Sequence, residues 1–197
     1  MNRRLNDTEA QAQLERWQAD EARVRAQMLS KGQQAGFRRP HEVAHLSGIE
    51  LFEAMFRGEL PFAPIGETLD FLPVHIEPGV AIFQGRPQQR HYNPMGTVHG
   101  GWYATLLDSC VACAIHAALP AGRAYTTVEL KINLVRALTD KTPLVRAEGR
   151  LIHLGRSMGT ADGRLVGHDG TLYAHASTTC FILEVPGARG GPGGPAA

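Results

Sequence analysis

The chain has 197 residues, of which 43% are hydrophobic and 20% charged, with a formal net charge of +1. These values predict one soluble globular domain with some additional chain, and the near-neutral charge gives no support to nucleic-acid or membrane-surface binding. No apolar run reaches membrane length, no apolar signal core opens the chain, and three cysteines make no disulfide framework, so we expect a cytoplasmic protein.

The first third of the chain is predicted to be helical. Residues 8–30 carry a narrow apolar stripe, and a capping box is expected between Thr8 and Gln11. We favour packing of this helix on its own domain or on a sister subunit over a dedicated partner-docking role. A second short helix is predicted over residues 47–56, followed by an extended, irregular linker over residues 61–66.

From about Leu69 onward the sequence is typical of short strands. Two apolar segments, residues 71–76 and 79–84, are separated by a Glu-Pro-Gly turn that indicates a hairpin. A long apolar helix follows, which ends near Pro120 and Gly122 and is predicted to be buried on nearly all faces. Four further strands complete the chain, at residues 125–135, 143–154, 157–166 and 171–183.

The strand at 125–135 alternates between apolar and polar residues. Strict alternation predicts one face formed by Val128, Leu130, Ile132 and Leu134, with Thr127 on the opposite face beside Glu129, Lys131 and Asn133. The polar face is compatible with dimerisation.

The element order predicts an α+β domain in which an antiparallel sheet covers one long helix. We therefore divide the chain into a helical N-terminal extension (1–66), a sheet-and-helix domain (67–185) and a Gly/Pro-rich tail (186–197) that we expect to be disordered. The role of the extension is open: it could cap a pocket or enlarge a dimer.

The candidate catalytic residues lie where a polar turn leads into the long helix. Gly100 and Gly101 open the helix, whose free N–H groups and positive dipole end favour an oxygen that gains negative charge. Asp108 lies further along the same helix and could act as a general base or a nucleophile. Gly100 and Asp108 are roughly 12 Å apart along the axis, too far to serve one carbonyl carbon. If both are catalytic, they belong to different subunits and the site lies at a dimer interface.

The turn and helix, Asn93-x-x-Gly96-Thr97-x-His99-Gly100-Gly101 followed by Asp108, resemble the hotdog-fold thioesterases of the phenylacetic-acid-degradation (PaaI-like) type. The resemblance extends over roughly residues 67–185 and implies hydrolysis of short-chain or aryl acyl-CoA thioesters by a homodimer, or by a dimer of such dimers. CoA is then part of the substrate, and no further cofactor is expected.

The resemblance also implies a role for each motif residue. Asn93 would position the water or the thioester, the Gly100 N–H would polarise the thioester carbonyl, and Asp108 of the partner subunit would be the base or nucleophile. Thr127 would assist, with Thr126 as its neighbour, and Gly101 would allow the substrate to approach. His99 is expected to shape the turn more than to transfer protons.

Two other functions are weighed against thioester hydrolysis. A hotdog enoyl-CoA hydratase would need a histidine five residues after the acid, where this chain has Cys113. A non-catalytic acyl-CoA sensor would have no need for the Asp108 carboxylate. The chain also departs from the branch of the family that has Glu at the acid position and Thr one turn later, because the later residue here is Ala112.

Other polar residues give weaker signals. Cys110 and Cys113 have redox or zinc spacing, but they lie in mid-helix without a second pair, so packing is favoured and no metal site is predicted. Arg156, in a strand turn, is a candidate to bind a CoA phosphate, with Arg136 and Arg164 as rivals. The default interpretation is that these arginines are solvated surface residues. Phosphate-loop and dinucleotide-binding motifs are absent from the sequence.

Overall fold

The computed structural model describes residues 4–186, and its elements follow the predicted order with one additional short α-helix and two short 3-10 helices, Pro40–Glu42 and Gln89–His91. The tail predicted to be disordered, residues 186–197, lies outside the described residues except for Pro186. In the described part of the chain, no helix is long and apolar enough to cross a membrane. The helices are α1 (Asp7–Met28), α2 (Gly48–Phe56), α3 (Pro64–Leu69) and α4 (Gly100–His116), and the strands are β1 (Phe71–Glu77), β2 (Val80–Gly85), β3 (Arg123–Leu134), β4 (Val145–Leu154), β5 (Met158–Gly167) and β6 (Leu172–Glu184).

The six strands form one sheet in the order β1-β2-β4-β5-β6-β3, with every neighbouring pair antiparallel. The sheet wraps around α4, and glycines allow a close approach between the two. A Cβ atom at Gly149 would lie 2.3 Å from the Cys110 carbonyl oxygen, and one at Gly163 would lie 2.6 Å from the Val111 side chain. The predicted α+β architecture, a sheet around one long helix, is confirmed.

The long helix is buried, as its sequence predicts, but not equally on all sides. Its sheet-facing residues, such as Leu106 and Val111, are fully buried. Asp108, Ser109 and Cys113 lie on another side and are only half-buried. The sheet covers one side of α4, and the side with Asp108 faces a pocket.

A β-bulge changes the two faces of β3. Thr127 pairs with Cys180 and Glu129 pairs with Thr179, so Val128 has no opposing residue of its own. The extra residue shifts the alternation, and Thr127 faces the core side together with Leu130. Val128 is 59% exposed. The predicted placement of Thr127 on the polar face is thus wrong, because strict alternation does not anticipate a bulge.

Helix α1 packs on the outer face of the sheet of its own domain, as favoured from its sequence. Gln84 points away from α4 and is fully buried beneath α1, where its side chain donates a hydrogen bond to the Trp17 carbonyl oxygen at 3.1 Å. The Arg146 guanidinium lies 4.6 Å above the Trp17 ring. The capping box forms between Asn6 and Glu9, not between Thr8 and Gln11, since the helix begins one residue earlier than predicted.

Helix α2 docks against the C-terminal end of α4. A Cβ atom at Gly48 would lie 1.7 Å from the His116 carbonyl oxygen, so only glycine fits at this contact. The Gly48 N–H donates to the Leu119 carbonyl oxygen at 3.0 Å. The predicted linker over 61–66 is only partly irregular, because α3 begins at Pro64, a residue whose fixed φ suits the first position of a helix.

Candidate active site

A carboxylate and a hydroxyl meet between α4 and β3. The Thr127 hydroxyl donates a hydrogen bond to Asp108 Oδ1 at 3.0 Å, and its oxygen lies 3.9 Å from the Cys180 sulfur. Thr127 reaches Asp108 because the bulge at Val128 brings it to the core side of the strand. Within residues 4–186 of one chain, the Asp108 carboxylate has no other hydrogen-bond partner, so Oδ2 is available to a water or a substrate.

Asp108 and Thr127 form part of the wall of a pocket of about 240 Å³. Most of the other residues around this pocket are apolar, and they come from α2, α3 and the segment between them, from the first two strands and from α4. They are Phe52, Met55, Phe62, Ala63, Ile65, Gly66, Phe71, Pro73, Phe83, Ser109, Ala112, Cys113 and Tyr125. The pocket can therefore hold an apolar group with its polar end at the Asp108 carboxylate.

The turn before α4 is organised by Asn93. Its side-chain oxygen accepts from the Met95 N–H at 2.9 Å, and its side-chain nitrogen donates to the Thr97 hydroxyl at 3.1 Å. The backbone N–H of Asn93 donates to the Thr97 carbonyl oxygen at 2.8 Å. These are the bonds of an Asx turn. The role predicted for Asn93 at the thioester stays a prediction, and in one chain its amide is used to shape the turn.

His99 caps α4. Its Nδ1 atom accepts a hydrogen bond from the Gly101 N–H at 2.9 Å. The Gly100 N–H, by contrast, has no partner among residues 4–186. A donor left free at a helix N-terminus is suited to an oxygen that gains negative charge. The geometry therefore favours Gly100 over Gly101 as the donor, with His99 fixing the turn.

Gly100 opens into a second pocket, of about 290 Å³, that it shares with Asn93 and Arg136. Tyr103 also lines this pocket, and its hydroxyl donates to the Arg136 carbonyl oxygen at 3.2 Å, which ties the end of β3 to α4. Neither Asp108 nor Thr127 lines this second pocket. The two parts of the predicted catalytic set thus open into different pockets of one chain.

The other predicted substrate-binding residues are spread over the chain. Arg136 lines the Gly100 pocket. Thr126 is exposed, and it points away from Asp108 because it alternates with Thr127. Arg156 is exposed in the turn between β4 and β5, and it lines neither pocket. Arg164 forms an ion pair with Glu148 on the outer face of the sheet, with Nη2 and Oε2 2.7 Å apart. Their roles in binding CoA stay predictions.

Cysteine chemistry is not favoured in this part of the molecule. Burial raises the pKa of Cys113 to about 12 and raises that of Cys110 well above its ordinary value. Such thiols are protonated and weakly nucleophilic near neutral pH. No group of three or more His, Cys, Asp or Glu side chains that could hold a metal ion occurs among residues 4–186.

Sequence reasoning missed the contribution of Tyr125 and His116 to this region, and it left open whether the N-terminal extension caps a pocket or enlarges a dimer. Tyr125 lies two residues before Thr127 and so shares its face, a signal that was present in the sequence. The His116 ring lies 4.9 Å from the Tyr125 ring and 5.2 Å from the Phe52 ring. The contribution of α2 and α3 depends on long-range docking, for which no sequence motif exists.

Burial lowers the pKa of His116 from 6.5 to about 4. The unfolded chain therefore takes up a proton between these values that the folded chain does not, so stability is fully present above pH 6.5 and is lost as the pH falls. At pH 5 we expect a loss of about 2 kcal/mol from this residue. Urea unfolding at pH 7.5 and at pH 5 measures this loss of stability. The free energy of unfolding should fall less between these two pH values in His116→Phe than in the native protein. Equal losses would contradict the prediction.

Comparisons with known proteins identify relatives of this chain in sequence and in fold. A family model described as the thioesterase superfamily matches residues 95–174. A Pseudomonas aeruginosa protein named "Putative esterase PA1618" is 31% identical over 102 residues, which are 51% of this chain and 69% of that protein. The crystal structure of a phenylacetic acid degradation-related protein from Ralstonia eutropha is 30% identical with a TM-score of 0.61, and the match covers 66% of this chain and 98% of that one.

The PaaI protein of the Escherichia coli phenylacetic acid degradation operon is similar in fold. It is 18% identical with a TM-score of 0.56, and the match covers 61% of this chain and 85% of that chain. These likenesses confirm the predicted hotdog fold.

Proposed function

This chain belongs to the thioesterase superfamily, and on that premise we propose that it hydrolyses acyl-CoA thioesters to the free acid and CoA. Superfamily membership supports a thioester hydrolase in general, and the choice of acyl-CoA and of Asp108 as the reacting carboxylate is the proposal. The observation that carries it is the Asp108–Thr127 pair on the wall of an apolar pocket. A carboxylate next to an acyl-sized pocket is suited to acting on a carbonyl carbon.

In the proposed reaction the acyl chain enters the Asp108 pocket and the thioester carbonyl lies at its mouth. Asp108 either removes a proton from a water that attacks the carbonyl carbon, or attacks this carbon itself to give an anhydride that water then hydrolyses. In both routes the carbonyl oxygen becomes negatively charged, the C–S bond breaks, and the CoA sulfur leaves and takes up a proton. Thr127 holds the carboxylate in orientation through its hydrogen bond.

The oxyanion is proposed to be stabilised by the Gly100 N–H of a second subunit. Gly100 and Asp108 belong to one regular helix and are therefore roughly 12 Å apart along its axis. They also open into different pockets. A homodimer that places the Gly100 pocket of one subunit against the Asp108 pocket of the other would complete two equivalent sites.

The edge of the sheet supports this assembly. β3 is the last strand of the sheet, so one side of its backbone is unpaired in a single chain. Val128, Leu134 and the adjacent Val135 are each more than half exposed along this strand. An unpaired edge with exposed apolar side chains is a surface that a second copy can cover. We propose a homodimer with the active site at the subunit interface.

The direct test is release of free CoA from a panel of short, medium and aryl acyl-CoAs by the native protein. We expect turnover of at least one member of the panel, detected as free thiol. Tight acyl-CoA binding without CoA release would favour the sensor function, and hydration of an enoyl-CoA without thiol release would favour a hydratase. Either result would overturn the proposed hydrolysis.

A further inference from the structure

We propose that the N-terminal segment from α2 to α3 forms the far wall of the acyl pocket and limits the length of the acyl group. This inference rests on the proposed function, since it concerns the substrate of the same site. The segment lies outside residues 95–174, which match the superfamily model. The wall is therefore built from a part of this chain that the superfamily model does not include.

The lining of the pocket is divided between two parts of the chain. Its reactive side comes from α4 and β3, which supply Asp108 and Thr127. The opposite apolar lining includes Phe52 and Met55 from α2 and Phe62 and Ile65 from α3 and the residues before it, as well as side chains from β1 and β2. Without the N-terminal segment, the space next to Asp108 would be open on this side.

The wall is held in place by specific contacts. Gly48 contacts the end of α4 so closely that a Cβ atom would lie 1.7 Å from the His116 carbonyl oxygen, and the Gly122 N–H donates to the Ala44 carbonyl oxygen at 2.8 Å. The Phe52 ring packs edge-on against His116 at 5.2 Å. At the other end of the segment, a Cβ atom at Gly66 would lie 2.7 Å from the Phe71 carbonyl oxygen. A wall that is held by contacts at both ends can set a fixed limit on the length of the acyl group.

The volume and lining of the Asp108 pocket indicate which kind of acyl group it binds. Its volume of about 240 Å³ is below the range of roughly 300–1,000 Å³ that is typical of pockets for whole drug-sized ligands. The pocket therefore suits the acyl part alone, with CoA outside. Because the wall opposite Asp108 is aliphatic and aromatic and carries no charge, we infer a short-chain or aryl acyl group and expect longer chains to be excluded by the N-terminal segment.

The test compares Phe62→Ala with Phe37→Ala. Phe62 is half-buried and lines the pocket, whereas Phe37 is 78% exposed on the same N-terminal extension and does not line it. Shortening Phe62 should shift the preference in kcat/KM toward longer acyl chains by about 10-fold or more, because each methylene in an apolar pocket discriminates by that order. Phe37→Ala should keep the native chain-length profile.

Ile65→Trp should shift the acyl-chain-length preference in the opposite direction, toward shorter chains. Ile65 is 46% exposed and lines the same pocket, so a larger side chain can be added there without overfilling the core. This variant should disfavour the longest chains that the native protein accepts. If Phe62→Ala and Ile65→Trp both keep the chain-length profile of Phe37→Ala, the inference is wrong.

Binding of S-alkyl-CoA thioethers, which cannot be hydrolysed, separates this inference from the proposed function. The chain-length preference for binding, measured by calorimetry, should shift in Phe62→Ala in the same direction as that for turnover. A shift in binding without any CoA release from thioesters would support the wall and contradict the hydrolase. CoA release with an unshifted chain-length preference would contradict the proposed wall and leave the hydrolase standing. Failure of every thioether to bind would also contradict the wall.

Discussion

Asp108→Asn should lower kcat for thioester hydrolysis by about 10²–10⁴-fold, the contribution typical of a general base. The amide has the same shape as the carboxylate and can still accept the Thr127 hydrogen bond that is 3.0 Å long in the native protein. It can neither take a proton from water nor attack a carbonyl carbon. Single-turnover and steady-state assays of CoA release, at saturating substrate, measure the loss.

A matched control for this variant is Asp162→Asn. Asp162 is an exposed aspartate on β5, and it lines neither the Asp108 pocket nor the Gly100 pocket. The same change of charge there should leave kcat close to the native value. If Asp108→Asn retained most of the native activity while it remained folded, Asp108 would have no role in the chemistry.

Gly100→Pro should lower kcat by about 10²–10³-fold, the cost of losing one oxyanion donor. Proline removes the N–H and suits the first position of a helix, and His99 before it already has an extended backbone. The helix should therefore persist while its free donor disappears. The measurement is CoA release, with circular dichroism to confirm that the helical content is retained.

Gly100→Ala separates the donor from the added bulk. A Cβ atom at this position would lie 3.0 Å from the end of the Leu134 side chain, which can move aside, and both alanine and proline carry that atom. Alanine keeps the N–H, so its loss of kcat should be far smaller than that of proline. Equal losses in the two variants would show that crowding, and not the donor, explains the effect.

The helix–strand order could be predicted because each element has a strong local signal. Apolar periodicity located α1, α2 and α4, and the Glu-Pro-Gly turn marked the β1–β2 hairpin. The bulge at Val128 could not be predicted, because it depends on how β3 pairs with β6, a strand about 50 residues further along the chain, as in the pair of Glu129 and Thr179. Helix α3 was missed because only six residues form it.

The candidate site was predictable in its residues but not in its shape. Glycine pair, acid and turn lie at a spacing typical of the family, so Asp108 and Gly100 stood out in the sequence. The partner of Asp108 within the chain, Thr127, was named from the resemblance but placed on the wrong face of its strand. The contribution of α2 and α3 to the pocket arises from docking at Gly48, a contact between segments that are distant in sequence.

The site shared between subunits is the central claim, and mixed dimers test it most directly. A dimer of one Asp108→Asn subunit and one Gly100→Pro subunit, purified through two different tags, would contain one intact site and should show about half of the native activity. A dimer of one native subunit and one subunit that carries both substitutions should be inactive. If instead the first dimer were inactive and the second kept half of the activity, Gly100 and Asp108 would act within one subunit and the claim would be wrong.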